Sequence, residues 1–214
     1  MELEFFGANC FRIKTKEIAL VVDDNLSAIG GKSIQTEKTV AFYTNPLLLK
    51  GVTPKSHLVI SSPGEFEVGD VTVKGAQARG HMDKEDEQNA AVFQFMANGQ
   101  TITVLGHVHP DLSSEVKELI GGTDVLVVPV GGNGFTLDPA GAASAVKEVE
   151  PGYVVPAQYD IAGLNYEVPA VPLAEFMKLF PSATSEPENS LKLAKGVEDT
   201  TGQTKVVVLK PQVK

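Results

Sequence analysis

"TDVLVVPVGGNGFTLDPAGAASAVKEVEPGYVVPAQYD", residues 123–160, changes its hydrophobic pattern as it runs. Residues 124–130 form an almost unbroken apolar run, the mark of a strand covered on both faces. The glycine-rich stretch at 131–134 then reads as a tight turn. Asp138 is a natural helix N-cap, Pro139 suits the first helical position, and Pro151-Gly152 stops the helix. "YVVPAQY" is a second strand. A strand, a helix and a strand joined by short connections put this part of the chain in the α/β class.

Working toward the N-terminus, the pattern becomes β-rich. "LEFFG", "CFRIKT" and "IALVVDD" are short strands with turns at Gly7–Asn9 and Thr15–Lys16. Residues 25–38 are polar and Gly-rich and read as a loop, followed by "TVAFY" and "HLVIS" as strands. "EFEVGDVTVKGAQA" alternates on both sides of Gly69-Asp70, and "AAVFQFMANGQTITVLG" turns at 97–100, so both are hairpins. Helical spacing of Leu112, Val116 and Leu119 or Ile120 predicts a helix over 112–120, with Asp111 as its N-cap. Toward the C-terminus, "VPLAEFMKLFP" is a short helix, and "SLKLAKG" and "TKVVVLKP" are two strands around a polar turn. Strands followed by helix–strand alternation predict mixed rather than purely parallel sheets, with helices outside, in a single domain over 1–214.

Composition narrows the functional classes. The net charge is −9, only two arginines (Arg12 and Arg79) are present, and no lysine run occurs, so nucleic acid is an unfavoured partner. Cys10 is the one cysteine, so no internal disulfide forms, and its apolar setting marks a packing residue. The start "MELEFF" has no basic and apolar leader, and no apolar run reaches 18 residues. The expectation is a cytoplasmic protein without a membrane segment.

The chemistry-bearing candidates are few. "GHVHPD", 106–111, places His107 and His109 two apart, where a strand would turn both to one face, with Asp111 as a third ligand or as a helix cap. His81 opens an acidic loop, and His57 reads as a strand-edge residue. Glu65 and Glu67 share a strand face that is most simply solvated. The 131–134 glycines match neither a phosphate loop nor a dinucleotide fingerprint, and no nucleophile elbow is present.

Taken in order, "ELEFFGANCFRIKT", "IALVVDD", "SSPGEFEVGDVTVKGAQARGH", "ITVLGHV" and the 123–160 stretch resemble the metallo-β-lactamase superfamily. The resemblance is to the branch of small bacterial proteins related to the ascorbate-phosphate lactonase, and it runs from residue 1 to about 211. It implies an αββα sandwich, two mixed sheets flanked by helices, with the site at the edge between them. Members carry an H-x-H-x-D-H motif after an early strand. Aligned on Thr39-Val40, the residues standing for its ligands and catalytic acid are Phe42, Thr44, Pro46 and Leu47. Residues 39–56 contain no His, Asp or Glu, so no shift of alignment restores the motif. The family's bridging Asp aligns with His107, its late His with Gln158, and its early Asp-Pro with Asp23-Asp24; His81 alone matches a ligand histidine.

The resemblance therefore implies a vestigial pocket of Thr44, His81, His107, Asp138 and Gln158, with no metal ligand set and no catalytic residue. A degenerate member of the fold is expected, binding a small molecule or protein or assembling with itself, without a cofactor. The alternative is a hydrolase of lactones, phosphoesters or phosphosugars, with zinc or manganese in a rebuilt site around His81, His107 and His109. A weaker alternative is an RNA-processing relative.

Overall fold

A computed structural model describes residues 1–183, 186–193 and 204–213. Two mixed sheets face each other across one large apolar core. The first contains β1 (Glu2–Gly7), β2 (Cys10–Lys14), β3 (Ala19–Val22), β4 (Thr39–Phe42) and β5 (Leu58–Ile60). The β1–β2–β3 run is antiparallel, whereas β3, β4 and β5 are parallel. The second sheet holds β6 (Gly64–Val68), β7 (Val71–Ala78), β8 (Ala90–Ala97) and β9 (Gln100–Val104) as an antiparallel meander. It continues in parallel through β10 (Val125–Pro129) and β11 (Tyr153–Ala157).

The expected strands form, and the two expected hairpins turn where their Gly pairs allow positive φ, at Gly69 and at Asn98-Gly99. Strand β10 is buried along its whole length because it lies between β9 and β11 with cover on both faces. The C-terminal pair does not form one hairpin. β12 (Leu191–Lys192) joins the first sheet beside β1, and β13 (Lys205–Val206) joins the second beside β11. The polar turn expected between them lies at 194–203, outside the described residues.

Three α-helices are described: α1 (Ser114–Ile120), α2 (Pro139–Val149) and α3 (Leu173–Met177). Helix α1 packs on β7 and β8, and α2 packs on β10 and against α3. Asp138 caps α2 as its sequence predicts, accepting from the Gly141 N–H. Asp111 does not cap α1. Its N–H donates to His109 Nδ1, which holds it in the turn ahead of the helix, and the Ser113 hydroxyl caps by accepting from Val116 N–H. The helix accordingly starts at 114 rather than 112.

On the first sheet a 3-10 turn at Pro46–Leu49 covers the outer face. Its Leu48 packs with Ala41 and Tyr43, while Val40 and Phe42 turn inward to the main core. Phe42 meets Phe93 and Phe95 of the opposite sheet edge-on, at 5.3 and 5.2 Å between centroids. Each such pair contributes about 0.5–1.5 kcal/mol beyond its buried area. The residue at the first ligand position of the resemblance is therefore a bolt between the sheets. No helix among the described residues is long and apolar enough to cross a membrane.

Candidate functional site

The candidate residues gather at one end of the sandwich, where β3, β4, β7, β9, β10 and β11 all finish. One side of this end is a buried hydrogen-bond network. Asp23, fully buried after β3, accepts from the Thr44 N–H (2.7 Å), the Thr44 hydroxyl (2.7 Å) and Asn9 Nδ2 (2.6 Å). Burial raises its pKa to about 6, against the pull of these hydrogen bonds. Asp24 is held beside it, one oxygen accepting from Ser33 Oγ and from the N–H groups of Ile34 and Gln35. The Thr44 carbonyl accepts from Ala91 N–H across the sandwich, so this network ties the sheets together.

Backbone strain concentrates here. Ala8, Asp23 and Gln158 all adopt left-handed φ near +50°, and the Gln158 N–H donates to the Ala8 carbonyl. Gly106, at φ +63°, lies so close to Thr44 that a Cβ there would come within 2.2 Å of Thr44 Oγ1. Only glycine fits this approach.

The other side carries the histidines. Residues 105–109 follow β9 as a segment with one bridge, Gly80 to Val108, flanked by hydrogen bonds from the His81 N–H to the His107 carbonyl and from the His109 N–H to the Arg79 carbonyl. His107 is 4% exposed, and among the described residues neither of its ring nitrogens has a hydrogen-bond partner. Burial, with His81 beside it, holds its pKa at about 4, which keeps the ring neutral at pH 7. Phe135 packs edge-on against it at 4.8 Å. His81 shares the pocket, its backbone N–H donating to the His107 carbonyl and its buried Nδ1 without a partner among the described residues. Its pKa is lowered, chiefly by burial and next by His109.

The structure thus brings His81 and His107 together in a pocket of about 20 Å³ with Asn45, Met82, Asp83 and Phe135. Thr44 faces the Asp23 network, and its hydroxyl is committed there. His109 lies 5.9 Å from the His81 ring, with Nδ1 already accepting from Asp111 N–H. Asp138 is exposed at the start of α2 and acts on His81 only through its charge. Gln158 lines a neighbouring groove of about 480 Å³ with Ile29, Leu48, Lys50 and Tyr166. Leu47 and Phe135 border both spaces. Met82, Asp83 and Phe135 are pocket residues that sequence reasoning did not single out; the one signal was the adjacency of Met82 to His81.

A family profile, "Beta-lactamase superfamily domain", matches residues 2–158. The chain belongs to this superfamily. A relative in Pyrococcus abyssi, a UPF0173 protein, is 25% identical over 187 residues, covering 76% of this chain and 85% of its own. A metallo-β-lactamase superfamily protein of Thermotoga maritima superposes with a TM-score of 0.70 at 24% identity, over 98% of both chains. Igni18, a metallo hydrolase of Ignicoccus hospitalis, superposes with a TM-score of 0.61 at 17% identity, over 98% of this chain and 95% of its own. The αββα reading of the sequence stands.

The residues present do not fit the superfamily's metal centre. Among the described residues, no group of three or more His, Cys, Asp or Glu is placed to hold a metal ion. At the position of the H-x-H-x-D-H motif, Phe42 is core, the Thr44 hydroxyl is taken by Asp23, and Leu47 is 63% exposed with no donor atom. No hydrolytic step is derived through such a centre.

Proposed function

We propose that this chain is a degenerate metallo-β-lactamase-fold protein that has lost the superfamily's metal binding and hydrolase activity and works as a binding or structural protein. One observation carries the reading. The scaffold that positions the first metal motif is intact, with Asp23 still gripping residue 44, while the side chains it presents are not ligands. A zinc hydrolase needs three or four protein ligands and an open position for the activated water. The groove beside Gln158, bordered by Leu47 and Phe135, offers room for a small molecule, and a protein partner or a second copy of the chain fits the same reading. The test is metal content by mass spectrometry on untagged protein, before and after dialysis against zinc and manganese. Less than about a tenth of a metal per chain is expected; stoichiometric zinc, iron or manganese refutes the reading.

A second reading is favoured by the three unpartnered imidazole nitrogens: a metal-dependent hydrolase rebuilt around His81, His107 and His109, using zinc or manganese. It requires that lactone or phosphoester hydrolysis and metal content both fall in His107→Ala.

A further inference from the structure

Gln158 lines the groove of about 480 Å³ and is itself only 5% exposed. No hydrogen bond among the described residues reaches its carboxamide. Yet that group is not sealed in the interior: the buried side-chain atoms left without a partner belong to Asn9, Asp24, Arg79, His81 and His107. The open side of the carboxamide is therefore the groove. The backbone beneath it is fixed, with φ at +52° and the Gln158 N–H donating to the Ala8 carbonyl at 2.7 Å. A non-glycine residue keeps a left-handed conformation only where the surrounding structure holds it.

The walls are tied before any ligand arrives. The Asn165 N–H donates to the Ile29 carbonyl at 2.8 Å, and the Tyr166 hydroxyl donates to the Tyr159 carbonyl at 2.9 Å. Phe135, Leu48 and Ile29 supply apolar lining. The charged lining is Lys50 and Glu167, both exposed and of opposite sign, so the groove has no net pull on an ion. Its volume lies within the usual range of small-molecule sites, about 300–1,000 Å³.

The carboxamide selects the ligand class. It is uncharged and holds one carbonyl acceptor beside one NH₂ donor. Its complement is the same pair reversed, which is the edge of an amide or a lactam. A carboxylate or an ammonium matches half of that pair and brings a charge against a neutral group, which is costly to bury. We propose that the groove binds an uncharged organic molecule, presenting a carboxamide or lactam edge to Gln158 and an apolar ring to Phe135, Leu48 and Ile29. The inference rests on the reading above, that this end of the fold holds no hydrolytic metal centre, and names the ligand class for the same groove.

The test titrates benzamide into the full, isotope-labelled chain and follows the backbone amide shifts. Benzoate, benzylamine and benzamidine serve as charged variants of the same ring. Benzamide should bind with a Kd of about 1–10 mM, as expected for so small a probe, with shifts gathered around the groove. Benzoate and benzylamine should bind about tenfold more weakly. Gln158→Leu should weaken benzamide about tenfold with circular dichroism unchanged. Gln158→Glu, which only accepts, should reverse the preference and favour benzamidine, which donates twice. His57→Gln, at an exposed histidine outside the groove, should change nothing. No shifts at the groove up to about 50 mM benzamide overturn the site, well beyond the affinity expected of the probe. So does benzamide binding that both Gln158 variants leave intact, or tighter binding of benzoate. Failure of benzamide in protein shown to be metal-free sinks this inference alone. Stoichiometric zinc, iron or manganese sinks the reading beneath it.

Discussion

Asp23 and His107 lie on opposite sides of one site and are treated in opposite ways. Asp23 accepts from three donors, with only Asn9 Oδ1 and one Asp24 oxygen left over beside it, whereas among the described residues neither nitrogen of His107 has a partner. The first side presents no ligand-type side chain at residues 42, 44, 46 and 47. The second presents two imidazoles without a surrounding ligand set. A buried polar group without a partner is a cost that an apolar side chain would remove, so a histidine in that place implies either a ligand or a residue not yet replaced.

The largest effect expected from breaking this contrast is on the Asp23 side. Asp23→Ala strands the Thr44 N–H, the Thr44 hydroxyl and the Asn9 amide in the interior, and should cost about 3–5 kcal/mol in chemical denaturation. A loss below about 1 kcal/mol would show that water replaces the carboxylate. Next is Gly106→Ala, which adds a Cβ against Thr44 at a left-handed backbone position. It should cost about 2–4 kcal/mol, and a neutral result would mean that the 105–107 segment moves freely away from β4.

The His107 side should respond with the opposite sign. His107→Leu in metal-free protein should gain about 1 kcal/mol, raising Tm by about 2–4 °C for a chain of this size. A lower Tm would indicate that His107 has satisfied partners in solution.

The smallest effect sharpens the comparison through pH. Asp23 has its pKa raised by burial from 3.8 to about 6. Between those values the folded protein holds a proton that the unfolded chain has released, so this contribution is present at low pH and lost as pH rises through about 6. His107 is lowered by burial from 6.5 to about 4, so its contribution is present above 6.5 and lost as pH falls toward 4. The two slopes oppose each other between about 4 and 6, with His81, also lowered by burial, adding to the histidine side. His107→Leu removes the His107 slope, so relative to wild type its urea midpoint should fall as pH rises over that window. A midpoint that climbs relative to wild type contradicts the assignment of His107.

Much of the fold was legible along the chain. Period-two alternation located the hairpins on either side of Gly69-Asp70 and Asn98-Gly99, and Asp138-Pro139 with Pro151-Gly152 bounded α2. The absence of the motif's side chains was also plain, since residues 39–56 hold no His, Asp or Glu. Asp111 misled because a good capping residue stood two positions ahead of a better-placed one, and the His109 ring decided between them.

The sequence by itself determined the strands, the main helix and the absence of His, Asp and Glu from residues 39–56, because propensity, caps and side-chain chemistry act over a few residues. Only the tertiary structure decided which sheet each C-terminal strand joins, that Asp23 holds Thr44, and that His81, Met82, His107 and Phe135 line one pocket. Those pairings depend on how two sheets stack and where their loops converge. That is set by the packing of the whole core and leaves no periodic trace in the residues that meet.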